Sequence, residues 1–188
     1  MACLVPAAGA APWQYGEPVT IAAPAAGVFH HLESAGRRSI AVGGDVVAIT
    51  WEDNRGGAPQ VYVALVRVGA RDVSEALQVS TGAAAYEPAI AAVGNGNFVI
   101  AWEQDDAVWV RALAGERLGE PQRLAGSVSA QASLAADGRR VVAVWSERRG
   151  NARHIAMREL VWRGVKKPLE AHAPQWVDAA PPDAEQFY

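Results

Sequence analysis

The chain has one cysteine among its 188 residues, Cys3, so it can close no internal disulfide and build no thiolate metal cluster. It lacks an unbroken apolar stretch of the roughly 18 residues a membrane-spanning helix needs. It also lacks a basic excess. Seventeen Lys and Arg stand against 20 Asp and Glu, for a net charge of −3, and no block of like charge suggests a tail. A nucleic-acid surface is therefore not expected. Helical spacing of apolar residues is nowhere sustained, because Gly or Pro interrupts every candidate window. Nor is there a phosphate-binding loop, a dinucleotide fingerprint, an H-E-x-x-H pair or a G-x-S-x-G elbow, so no cofactor and no metal are expected. "GNGNF" (Gly94 to Phe98) reads as a hairpin turn, since no helix follows it to receive a phosphate.

What is present is an ordinary globular balance, 51% hydrophobic and 20% charged. That length allows one sizeable core or two small ones. The first stretch, "MACLVPAAGAAPW", is small and apolar with an Ala8-Gly9-Ala10 cleavage pattern. Residues 1–16 read as a leader or the remnant of a secretory signal, with Cys3 as a candidate lipidation site. The expected address is extracytoplasmic, either periplasmic or secreted.

The main signal is repetition. Three copies of one pattern begin at Ser39 ("SIAVGGDVVAITWEDNRGGAPQVYVALV"), Ala89 ("AIAAVGNGNFVIAWEQDDAVWVRAL") and Ser133 ("SLAADGRRVVAVWSERRGNARHIAMREL"). The anchors Ile40, Ile90 and Leu134 lead to Trp51, Trp102 and Trp145. Beyond them Val61, Val108 and Ile155 align, as do Ala64, Arg111 and Arg158. Each copy reads as four short strands. The first ends in a glycine turn, the second is a continuous apolar run, and the third follows a hairpin. The fourth is "EALQVS", "EPQRLA" or "KPLEAH". An unbroken apolar strand implies a sheet buried on both faces.

Such units, repeated at 40-odd to 50 residues, predict an all-β fold, a partial β-propeller of about three four-stranded blades. The blades span approximately 28–80, 84–126 and 127–174, within a domain covering 17–188. "EPVTIA" (Glu17 to Ala22) resembles the fourth strands and is expected to be an N-terminal closing strand. Residues 175–188 read as the lead-in to a missing blade, because "DAEQFY" is similar to "AAAYEP" ahead of the second copy. Three blades are fewer than the roughly four to eight of closed rings, so a homo-oligomer or a piece of a longer propeller is expected.

The order apolar strand, Trp, acid, Arg, Gly, then a Tyr-containing strand resembles the sialidase-like (BNR or Asp-box) propeller proteins, over roughly 17–163. Ser133, Asp137 and Gly138 keep part of the Asp-box with altered spacing. The resemblance implies an arginine at the start of the first blade, for which Arg37 and Arg38 are the nearest matches. It implies an acid/base Asp near the following hairpin, where Asp53 lies closest. The family's remaining arginines and its Tyr come from later blades, so no catalytic residue is assigned. Glu52, Asp53, Arg55, Glu147 and Arg149 are candidate ligand-binding residues at one mouth of the ring; the plainer reading pairs them within their hairpins. His30 and His31, adjacent on a strand, point to opposite faces and are not expected to share a metal. The Trp set is expected to be packing, with Trp109 and Trp162 the ones that could instead stack on a sugar.

The expected function is a non-catalytic, sialidase-like module that binds a carbohydrate or protein partner. One alternative is a sialidase-type glycoside hydrolase completed by missing blades or a second chain. Another is a structural subunit docking on a partner.

Overall fold

The computed structural model describes residues 16–22, 25–31, 38–126 and 128–177. Among them there is no helix; the chain is all-β, with three antiparallel sheets in sequence order. Sheet 1 comprises β1 (His30–His31), β2 (Ile40–Gly43), β3 (Val46–Asp53), β4 (Gln60–Arg67) and β5 (Leu77–Gln78). Sheet 2 comprises β6 (Ala85–Gly94), β7 (Asn97–Gln104), β8 (Ala107–Ala114), β9 (Arg117–Leu118) and β10 (Gln122–Arg123). Sheet 3 comprises β11 (Ser129–Asp137), β12 (Arg140–Arg149), β13 (Ala152–Val161), β14 (Glu170–Ala171) and β15 (Gln175–Trp176).

The repeat holds in register. Trp51 lies opposite Tyr62, Trp102 opposite Trp109, and Trp145 opposite Ala156. The glycine turns form where the pattern put them, with positive φ at Gly44, Gly96 and Gly138. The amides of Val79, Leu124 and Val177 reach the carbonyls of Val61, Val108 and Ile155, so the outermost strands also correspond. This identifies the matching outer strand of sheet 3 as Gln175–Trp176. The stretch "KPLEAH" instead contributes Glu170–Ala171, which pairs with Leu160 and Val161 further along β13.

The sheets stack face to face, and Trp102 and Trp145 point backward, toward the preceding sheet. Trp102 joins Ala48, Val61, Val63 and Leu65 of sheet 1 in one core. Trp145 joins Val99, Ala101, Val108 and Val110 of sheet 2 in the next. Burial of β7 on both faces explains why its sequence does not alternate. Near the glycine turns the sheets touch through backbone. The Gly96 amide donates to the Gly43 carbonyl at 2.9 Å, and a Cβ on Gly43 would meet the Gly94 carbonyl oxygen at 2.6 Å.

The stack does not close on itself among the described residues. Glu17–Ala22 forms no strand; Ile21 and Ala22 instead pack on Trp51, Tyr62 and Ala64. They cover the face of sheet 1 that corresponds to the faces of sheets 2 and 3 buried by a preceding sheet. A ladder needs a free strand edge, and that face offers apolar side chains rather than backbone.

Candidate functional site

Each repeated Trp, Trp51, Trp102 and Trp145, carries the same latch near the end of its strand. Two positions on, on the same face of the strand, stands an acceptor for the indole N–H. Trp51 Nε1 donates to Asp53 Oδ2 at 2.8 Å, Trp102 Nε1 to Gln104 Oε1 at 2.9 Å, and Trp145 Nε1 to Glu147 Oε2 at 2.7 Å. All these side chains are buried, where an unpaired indole N–H would cost about 1–3 kcal/mol.

The position between them points the other way, to the next sheet. Glu52 Oε2 accepts from the backbone N–H of Glu87 at 3.0 Å, and Glu103 Oε1 from that of Gln131 at 2.6 Å. Glu87 and Gln131 are the positive-φ residues of the bulges in β6 and β11, and each bulge lies opposite the Trp of its own sheet. The left-handed backbone of a non-glycine residue is costly. Here a carboxylate from the sheet before compensates by accepting the amide it turns outward. In sheet 3 this place belongs to Ser146, whose Oγ lies 3.4 Å from Arg153 Nη1.

At the sheet 1 hairpin the latch grows into a cluster. Asp53 is fully buried and accepts from the Arg55 backbone at 3.0 Å and from Arg55 Nε at 2.9 Å, as well as from Trp51. Burial alone would raise the Asp53 carboxyl, but the hydrogen bonds from Arg55 and Trp51 outweigh it and hold it below the ordinary range. The Arg55 guanidinium lies 4.3 Å from the Tyr62 ring centroid. Burial, together with the Asp53 charge, raises the Tyr62 phenol. His31 Nδ1 meets Glu52 Oε1 at 2.9 Å, and His30 Nε2 lies 3.7 Å from Asp53 Oδ2. The two histidines thus face different acids on opposite sides of the strand. Among the described residues no group of His, Cys, Asp and Glu is arranged to hold a metal ion.

The candidate residues fall into separate places. Glu52, Asp53 and Arg55 come together at sheet 1. Glu147 latches Trp145, and Arg149 lies 4.9 Å from the Trp176 ring, both at the sheet 3 hairpin. Arg38 belongs to neither cluster: it is exposed beside Ile40, Val42 and Ala92, and its carbonyl accepts from Ile90 at 2.8 Å. Arg37 lies outside the described residues. Trp176, with His154 edge-on at 5.9 Å, was not expected in any site, since it sits past the third repeat. Glu103 and Gln104 join the pattern only in the fold, although the Trp-x-x spacing of all three copies marks them.

Arg111 and Arg158, paired by the alignment, part company in the fold. Arg111 ties two sheets together: its Nη1 donates to the Val79 carbonyl at 2.6 Å and its Nε to Gly119. Burial pushes this guanidinium's pKa down, against the opposing charge of Glu120. Arg158 leaves a buried Nε without a hydrogen-bond partner among the described residues.

The sequence matches no known family model, and comparison with curated proteins finds no match.

Proposed function

We propose that the chain is a non-catalytic binding module of the sialidase-like propeller type, each sheet one blade, acting outside the cytoplasm as a scaffold for a ligand or protein partner. The observation that carries this reading is the state of Asp53. A glycosidase acid must hold a proton at working pH and present it to the leaving oxygen. Asp53 is fully buried, and its oxygens are taken by Trp51 and Arg55. Its pKa is lowered, the opposite of what a proton donor requires. What the same end of the sheets leaves accessible is binding chemistry: the partly exposed Arg55 above Tyr62, and exposed Arg149 beside exposed Trp176.

The test joins turnover to binding. With a fluorogenic sialoside the chain is expected to release no product above the buffer blank. On a glycan array, labelled chain is expected to bind and to lose signal on Arg149→Ala. Turnover that disappears in Asp53→Asn overturns the non-catalytic reading. An array without a signal sensitive to Arg149 removes the site.

A further inference from the structure

The two ends of the stack expose the residues that the repeat buries at its internal junctions. Ile40, the anchor of the first copy, is 55% exposed, whereas its counterparts Ile90 and Leu134 are 0% and 6% exposed. Val42 beside it is 59% exposed. Both belong to the head face of sheet 1, where Ile40 and Val42 pair with Ile49 and Val47. Ile21 and Ala22 cover the Trp51 end of that face but leave an apolar hollow of about 290 Å³ among Ile21, Ala22, His30, Ile49 and Trp51.

At the other end, Val142, Val144 and Met157 line the tail face of sheet 3 and are half-buried. Their counterparts Val99, Ala101 and Val110 are fully buried beneath sheet 3, and Ala48 and Val63 of sheet 1 are fully buried beneath sheet 2. Among the described residues no further strand packs on this tail. Head and tail are therefore the two halves of one junction, built twice inside the chain.

We infer that a second copy of this chain supplies the missing half, its head face seated on this tail face, and that two copies close into a ring through two identical junctions. The junctions already inside the chain carry the argument. Each puts the head side of one sheet on the tail side of the sheet before it, with core residues at corresponding positions. A second copy extends that stacking at the glycine-turn end of the face, where Ile40 and Val42 are bare, with the Ile21–Ala22 segment that covers Trp51 lying between the two copies at the other end. Head and tail are different surfaces, so the contact is heterologous and must either close or polymerise. Two sets of three sheets give six, within the roughly four to eight that closed rings of this kind contain. The inference concerns how the ends are covered, and it stands or falls separately from what the hairpin arginines bind.

The experiment is light scattering on a sizing column with the wild-type chain, Ile40→Glu in the head and Val144→Glu in the tail, each checked for folding by circular dichroism. The wild-type chain is expected to run as a dimer. A folded Ile40→Glu chain has a spoiled head in both junctions and is expected to be monomeric, as is Val144→Glu. Mixed one to one, they are expected to form a heterodimer, because the intact tail of the first fits the intact head of the second. A wild-type monomer overturns the inference, as does an open polymer. A dimer that survives either substitution, or a mixture that stays monomeric, overturns it equally, since each points to another surface.

Discussion

Trp102→Phe isolates the indole latch. Trp102 is 1% exposed, and its N–H is the donor to Gln104 Oε1 at 2.9 Å. The phenyl ring keeps most of the packing and removes the donor. Removing the donor leaves the buried amide oxygen without its partner, which costs about 1–3 kcal/mol. With the small void left by the indole, the expected loss is about 3 kcal/mol. In urea, with a slope of about 2–3 kcal/mol/M, the unfolding midpoint is expected to fall by about 1 M. Trp162→Phe is the control: it is a ring of the same size, buried at 8% exposure, whose indole has no latch partner among the described residues. It is expected to cost less than half as much. In the double variant Trp102→Phe with Gln104→Leu, both polar partners are gone, and the penalty is expected to fall short of the sum by about 1 kcal/mol or more. Equal losses at Trp102 and Trp162, together with an additive double variant, would refute the latch and leave the Trp repeat as packing alone.

Asp53 gives a pH prediction. Its folded pKa lies below the ordinary value of about 3.9, so its contribution is present above that value and is lost as pH falls through the lower folded pKa. Thermal unfolding of the wild-type chain between about pH 5 and pH 2 is expected to show an acid loss that Asp53→Asn, already destabilised at pH 7, shows in smaller measure. Glu103→Ala removes the acceptor for the Gln131 amide at the bulge and is expected to cost about 1–2 kcal/mol by denaturant midpoint, with faster hydrogen exchange at that amide. Gly43→Ala drives a Cβ against the Gly94 carbonyl where sheets 1 and 2 meet, and is expected to cost about 1–3 kcal/mol; an unchanged melting temperature would mean that the turns do not touch.

The all-β class, the glycine turns and the correspondence of the copies are legible because period and turn chemistry are local properties. The outer strand of sheet 3 was not. "KPLEAH" and the stretch around Gln175–Trp176 are both short and polar, and only the cross-strand amide from Val177 to Ile155 decides between them. "EPVTIA" has the composition of a strand, yet Ile21 and Ala22 find an apolar face rather than an edge, which is a tertiary outcome. At the hairpins, the sequence shows that acids follow each Trp but not that alternate positions serve different sheets. Asp53, Gln104 and Glu147 hold their own indoles, while Glu52 and Glu103 hold the neighbour's backbone.

Those neighbour-directed carboxylates bear on how the chain assembles during synthesis. Glu52 precedes the amide it receives by 35 residues and Glu103 precedes its own by 28. In each junction, therefore, the acceptor side leaves the ribosome first, already set in a hairpin, before the bulge that must dock on it is made. Each loop to be closed is of similar, modest length, so the entropic cost of adding a sheet does not grow as the chain lengthens. During synthesis the geometry therefore permits assembly from the N-terminus one sheet at a time, each finished sheet offering its acceptor to the next.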